Sequence, residues 1–114
     1  MTQESDIRAE IMRKYNTMFP GGNIDRVWCG QVATRHGARI IGAKKGTPDL
    51  IGYLPDGRFL AIEVKMPGAR PQRHEAAQEA YQAKATAAGC LCFRACSWDE
   101  ARGIIQDALK LPFE

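Results

Sequence analysis

The word Leu54-Pro55-Asp56-Gly57 divides two runs of strand-forming residues, Leu50-Ile51-Gly52-Tyr53 before it and Arg58-Phe59-Leu60-Ala61-Ile62-Glu63-Val64-Lys65 after it. A Pro-Asp-Gly bend between such runs reads as a β-hairpin. Pro at the second position, Asp at the third and Gly in the left-handed position suit a three-residue loop, a type I turn closed by a glycine bulge. Leu54 then pairs with Arg58, and counting outward places Asp49 directly opposite Glu63. Side chains alternate along a strand, so Phe59, Ala61, Glu63 and Lys65 share one face. Leu60, Ile62 and Val64 share the other, which is apolar enough to face a core. Two carboxylates and an ammonium therefore converge at the open end of the hairpin.

Like charges opposite one another destabilise a sheet, because directly paired side chains sit only about 5 Å apart. A divalent cation offsets that repulsion, since Mg2+ takes one or two carboxylates and completes its shell with water. Lys65 adds a positive charge beside the pair.

The chain has 114 residues, room for one domain with one modest core, expected to span residues 1–114. Apolar content of 45% and charged content of 25% are those of a globular protein. No apolar run is long enough to span a bilayer, and Met1-Thr2-Gln3-Glu4-Ser5-Asp6 lacks the basic-then-apolar order of a secretory signal. The expected location is the cytoplasm, with no membrane partner. Cys29, Cys90, Cys92 and Cys96 lack the C-x-x-C spacing of a zinc or redox motif and read as structural thiols. Net charge is only +3, but Arg35, His36, Arg39, Lys44 and Lys45 precede the Pro48-Asp49 pair, and Lys65, Arg70, Arg73 and His74 follow Glu63. Positive charge on both sides of an acidic site suits a phosphate backbone, with Arg35, Arg39, Lys44 and Lys45 the candidate contacts.

Ile7, Ile11, Tyr15 and Met18 recur as one face of a helix over about Ser5 to Met18. Glu4 belongs to that stripe, whereas Glu10 falls well off its centre. An acid there either complements the helix dipole or aims at an interior site. Phe19-Pro20-Gly21-Gly22 ends the helix, and Asp25-Arg26-Val27-Trp28-Cys29 reads as a short strand whose Trp28 is either a core residue, the preferred reading, or a contact to nucleic acid. From Gly30 to Thr47 no periodicity emerges. That basic, Gly-rich segment reads as a mobile substrate-contacting loop in which Ile40 and Ile41 are the anchors.

Met66-Pro67-Gly68-Ala69-Arg70-Pro71 leads the chain off the sheet, and a helix follows from about Arg73 through Ala88, stopped by Gly89. Ala77, Tyr81, Ala85 and Ala88 make its small-residue face, and Gln78 shares the side of Tyr81. Gln82 faces elsewhere and Gln72 precedes the helix. Cys90 to Ala95 reads as a strand parallel to the Glu63 strand, reached by a right-handed crossover. Ser97-Trp98-Asp99-Glu100 is a capping box that opens a last helix through Leu109. The fold class is α/β, in the order α-β-β-β-α-β-α, with a central mixed sheet flanked by helices.

The Pro48-Asp49 pair with Glu63-x-Lys65 resembles the PD-(D/E)XK nuclease superfamily. The surrounding words Gly46-Thr47-Pro48-Asp49-Leu50 and Ile62-Glu63-Val64-Lys65, with Gln78 later, resemble its virus-type replication-repair branch, VRR-NUC, along nearly the whole chain. The resemblance implies a restriction-endonuclease-like core that hydrolyses DNA with Mg2+ or Mn2+. It implies Asp49 and Glu63 as metal ligands, the Val64 carbonyl completing the inner shell, and an acid of the first helix adding a contact, often through water. Glu4 is the better positional match for that acid and Glu10 the alternative. Lys65 would orient or deprotonate the attacking water or stabilise the transition state, and Gln78 would reach toward Lys65 and substrate. Small stand-alone members of the family act as homodimers on branched DNA such as four-way (Holliday) junctions, which is the leading expectation here. An accessory subunit that binds nucleic acid without cutting it and a sequence-specific restriction-type enzyme are the alternatives.

Overall fold

The structure, a computed structural model, describes residues 3–27, 31–68 and 75–111, the side chains of 31–33 and 39–41 excepted. Trp28, Cys29, Arg70, Gln72, Arg73 and His74 lie outside the described residues, as do the side chains of Arg39, Ile40 and Ile41. At the Pro55-Asp56-Gly57 bend, Leu54 N–H donates to the Arg58 carbonyl at 2.8 Å and Gly57 N–H to the Leu54 carbonyl at 2.9 Å. Gly57 has φ 93°, the left-handed conformation that closes a three-residue loop. The Arg58 guanidinium donates to the Ala108 carbonyl at 2.9 Å, tying this tip to the last helix.

The chain runs α1 (Glu4–Met18), β1 (Asn23–Arg26), β2 (Gln31–Ala33), β3 (Arg39–Ile41), β4 (Leu50–Tyr53), β5 (Phe59–Val64), α2 (Glu75–Ala87), β6 (Leu91–Ala95) and α3 (Trp98–Leu109). Four strands form one mixed sheet in the order β1-β4-β5-β6. β4 is antiparallel to both β1 and β5, and β6 runs parallel to β5. Tyr53 pairs with Phe59 and Leu50 with Ile62, so the hairpin register is the one its turn dictates. Within this sheet and its helices the order is α-β-β-β-α-β-α. Two further strands, β2 and β3, form an antiparallel ribbon of their own where no regular structure was expected.

Alternation divides the sheet into two faces. Leu60, Ile62 and Val64 are fully buried and join Ile7, Ile11 and Tyr15 of α1 and Trp98, Ala101 and Ile105 of α3 in the core. Each such side chain contributes roughly 1.5–3 kcal/mol on burial. The opposite face, carrying Ala61 and Glu63 of β5, Lys65 just beyond its end and Arg94 of β6, lies beneath α2: Lys65 donates to Gln78, Gln78 to Glu63, and Arg94 to Glu75. α1 is docked to β1 by Asn16, whose amide donates to the Ile24 carbonyl at 3.0 Å and accepts the Ile24 N–H at 2.8 Å. Tyr15 Oη donates to the Tyr53 carbonyl at 2.9 Å, and burial pushes this phenol up to about 12.

Several local expectations need correction. Met18 is 44% exposed; Phe19 is buried in its place and stacks on Tyr15 at 5.2 Å, because a residue four past Tyr15 returns to the core side better than one three past it. The first strand begins at Asn23, earlier than expected. On α2 the half-buried residues are Glu75, Gln78, Tyr81, Gln82 and Ala85, Gln82 among them contrary to expectation, whereas Ala77 and Ala88 are exposed. α2 ends where Cys90 N–H donates to the Ala85 carbonyl and Gly89 N–H to the Thr86 carbonyl, both at 3.0 Å, the paired bonds of a Schellman cap. Ser97 Oγ caps α3 by accepting the Glu100 N–H at 3.1 Å, while the Glu100 carboxylate takes the Cys96 N–H.

Candidate active site

Asp49 lies one residue before β4 and Glu63 near the end of β5, so hairpin register alone brings them together. Two hydrogen bonds lock the pair. Asp49 N–H donates to Glu63 Oε1 at 3.2 Å, and Val64 N–H donates to Asp49 Oδ2 at 3.0 Å. Pro48 fixes the approach, since a proline restricts its own φ and the residue before it. The Asp49 carbonyl also accepts the Val27 N–H at 2.7 Å, joining the end of β1 to the site.

Glu63 and Lys65 are 8% and 7% exposed, uncommon values for charged side chains. Gln78 of α2 lies between them. Lys65 Nζ donates to Gln78 Oε1 at 2.9 Å, Gln78 Nε2 donates to Glu63 Oε2 at 2.6 Å, and Lys65 Nζ stands 3.5 Å from Glu63 Oε2. Burial, and then the charge of Asp49, push the Glu63 carboxyl up to about 7, although Lys65 pulls the other way. One ammonium therefore does not offset two carboxylates in this environment. A hard divalent cation would, and two carboxylates suffice for Mg2+ or Mn2+ when water completes the shell. The donor set fits such an ion, with Asp49 and Glu63 as the residues that would hold it.

The other candidates are placed differently. Glu4 opens α1 on the side of Ile7 and Ile11, half-buried, and among the described residues no cluster of three acidic, His or Cys side chains gathers it with Asp49 and Glu63. Glu10 forms an i,i+4 ion pair with Lys14 at 3.1 Å on the surface. Arg35 is exposed at the tip of the β2–β3 ribbon, Arg39 lies in β3, and Lys44 and Lys45 are exposed on the segment that returns to Asp49. Cys90, Cys92 and Cys96 are free thiols, and burial pushes Cys92 up to about 11, leaving it a protonated, unreactive group.

Arg94 carries no motif in the sequence, yet in the structure it anchors the helix above the site. It pairs in register beside Glu63 and reaches up to Glu75 and Glu79, the residues that flank Gln78 on α2. Gly46 grips the same helix. A Cβ at this position would lie 2.7 Å from the Ala77 carbonyl oxygen, and its φ of 90° is one that side chains resist. Only a glycine lets the segment before Pro48 lie directly on the α2 backbone.

A cleft of about 620 Å³ opens at the turn end of the hairpin, lined by Met18, Phe19, Pro55, Arg102 and Leu109 among others. None of the candidate site residues lines it. The acidic pair instead lies at the opposite, open end of the hairpin.

No family model matches this sequence, and no curated protein matches it. Among solved structures, one described as a VRR_NUC domain is similar in fold, with a TM-score of 0.59 and 20% identity over 93% of this chain and 97% of that one. The chain has the fold of that domain, which is the fold the Pro48-Asp49 and Glu63-x-Lys65 words imply.

Proposed function

We propose that the protein is a metal-dependent DNA endonuclease that hydrolyses phosphodiester bonds, selective for branched DNA such as four-way junctions and active as a homodimer. The observation that carries the hydrolase reading is the buried convergence of Asp49, Glu63 and Lys65 at the end of one hairpin. Mg2+ or Mn2+ held by Asp49 and Glu63, with the Val64 carbonyl, would supply Lewis acidity toward the scissile phosphate and lower the pKa of water. Glu4 would contribute through a water molecule, being outside the acidic pair.

The chain's own groups do the rest. Glu63 must be deprotonated to act as a ligand. Lys65, held by Gln78 and Glu63, presents its ammonium where negative charge develops on the phosphoryl oxygens. The same amine would orient or deprotonate the attacking water. Gln78, bonded at both ends, fixes the separation of acid and amine. Exposed Lys44 and Lys45, with Arg35 and Arg39, would neutralise phosphates on the approach to Asp49. A domain this small has little surface for an extended duplex, and a two-fold pair supplies both footprint and coordinated cuts.

The experiment is incubation of purified protein with Mg2+ or Mn2+ and labelled linear, flapped, single-stranded and four-way DNAs. Symmetric nicks at the junction, lost in chelator, are the expected result. Binding without cutting would instead assign an accessory role, and cuts at one sequence of linear duplex a restriction-type role.

A further inference from the structure

We propose that the β2–β3 ribbon is a groove-entering arm that selects duplex DNA by docking in its major groove. The inference deepens the nuclease reading and takes from it only that the substrate is DNA. The ribbon is a two-stranded sheet separate from the main one. Its tip repeats the geometry of the Pro55-Asp56-Gly57 bend: Thr34 N–H donates to the Ala38 carbonyl at 2.7 Å, Gly37 N–H to the Thr34 carbonyl at 3.1 Å, and Gly37 has φ 82°. Thr34 Oγ1 braces the loop by accepting the Ala38 N–H at 3.0 Å. This turn holds Arg35 and His36 at its two central positions, both exposed, followed by the small residues Gly37 and Ala38.

The dimensions choose the groove. Three pairs of residues, from Gln31↔Ile41 to Ala33↔Arg39, make a ribbon roughly 10 Å long before its loop. The major groove is about 8.5 Å deep and about 12 Å wide and admits a two-stranded ribbon as it stands, whereas the minor groove, about 6 Å wide, must be widened at a cost to take one. The base of the arm is tethered to the active-site strand by a short stretch of chain. Val27 bonds to Asp49, and Gln31 follows four residues later, a chain reach of at most about 14 Å. Lys44 and Lys45 line the return path, and Gly46 pins it to α2. A duplex that receives the ribbon is thereby held near Asp49, and a flexible single strand offers no groove to receive it.

The test is binding of the full chain in EDTA to a labelled short duplex and to one of its single strands, read by fluorescence anisotropy. Two variants separate charge from shape: Arg35→Ala with His36→Ala, and Gly37→Ala, which keeps every charge but strains an open turn. Both should weaken duplex binding about tenfold, the first lowering the slope of log Kd against log salt by about one, with single-strand binding changed less than about twofold. Arg35→Lys should retain most of the affinity. Methylation of guanine N7 should weaken wild-type binding, and a minor-groove drug should not compete. Equal losses on duplex and single strand, competition by the minor-groove drug, or unchanged duplex binding would overturn the proposal, as would a shift from dimer to monomer on sedimentation, which would make the ribbon a protein interface. Ribbon-dependent duplex binding by a wild-type protein that cuts nothing would support the arm while removing the nuclease reading.

Discussion

Asp49 donates its backbone N–H to Glu63 Oε1 at 3.2 Å across the open end of the hairpin, so the backbone of one acid orients the carboxylate of the other. The site is thus preorganised by backbone. Asp49→Asn and Glu63→Gln keep much of this geometry while removing charge. Each should lower the cleavage rate by at least about a hundredfold and leave DNA affinity in chelator within about threefold of wild type, measured on the same labelled junction. Lys65→Ala should behave likewise, since it removes the ammonium held against Gln78 and Glu63.

Stability should fall as pH rises through the range in which Glu63 ionises. The folded chain holds this proton up to about 7, whereas the unfolded chain releases it near the ordinary 4.5. Between those values the folded state binds more protons, so its advantage is complete below 4.5 and is lost as pH approaches and passes 7, by at most about 3 kcal/mol. Thermal melts of metal-free protein should show a lower midpoint at pH 8 than at pH 5 from this group, and Glu63→Gln should flatten the profile. Stabilisation by added Mn2+ should grow over the same interval, because a ligand must first lose its proton.

Gln78→Ala breaks the bridge that joins Lys65 to Glu63. The helix surface it occupies is only partly buried, so the fold should survive with little loss of thermal midpoint. Cleavage should fall about 10- to 100-fold, as it does when residues supporting a site's ligands are removed. A loss in kcat with KM little changed is the pattern expected of a positioning group.

Arg94→Met leaves Glu75 and Glu79 without the cation between them. The pair is about one-third solvent-exposed on the arginine side, so the cost should be modest, about 1 kcal/mol by denaturant melts. Adding Glu75→Gln should recover part of it, and a double-mutant cycle reads the coupling directly.

Gly46→Ala forces both a disfavoured φ and a collision with the Ala77 backbone. Destabilisation of about 1–3 kcal/mol is expected, with cleavage falling as the segment before Pro48 lifts from α2.

The hairpin and the acidic pair were legible because Pro55, Asp56 and Gly57 each constrain a different torsion of one turn, and a fixed turn fixes register for every residue beyond it. The ribbon was not. Thr34-Arg35-His36-Gly37-Ala38 makes the same turn with the glycine alone as signal, and strands of three residues are too short to display alternation. Gln78 could be placed by helical spacing, but Arg94 gains its meaning only from the parallel register of β6 and the position of α2, relations between distant segments that local pattern does not encode. Met18 and Phe19 were confused because both lie within one turn of Tyr15, and only packing decides which returns to the core.

The most direct measurement is a titration of metal-free protein with Mn2+ at pH 8, followed by electron paramagnetic resonance of the free ion. One site per chain, weakened at least about tenfold in both Asp49→Asn and Glu63→Gln, is the predicted result. Binding that is absent in the wild type, or that survives both substitutions unchanged, would contradict a cation shared by these two carboxylates.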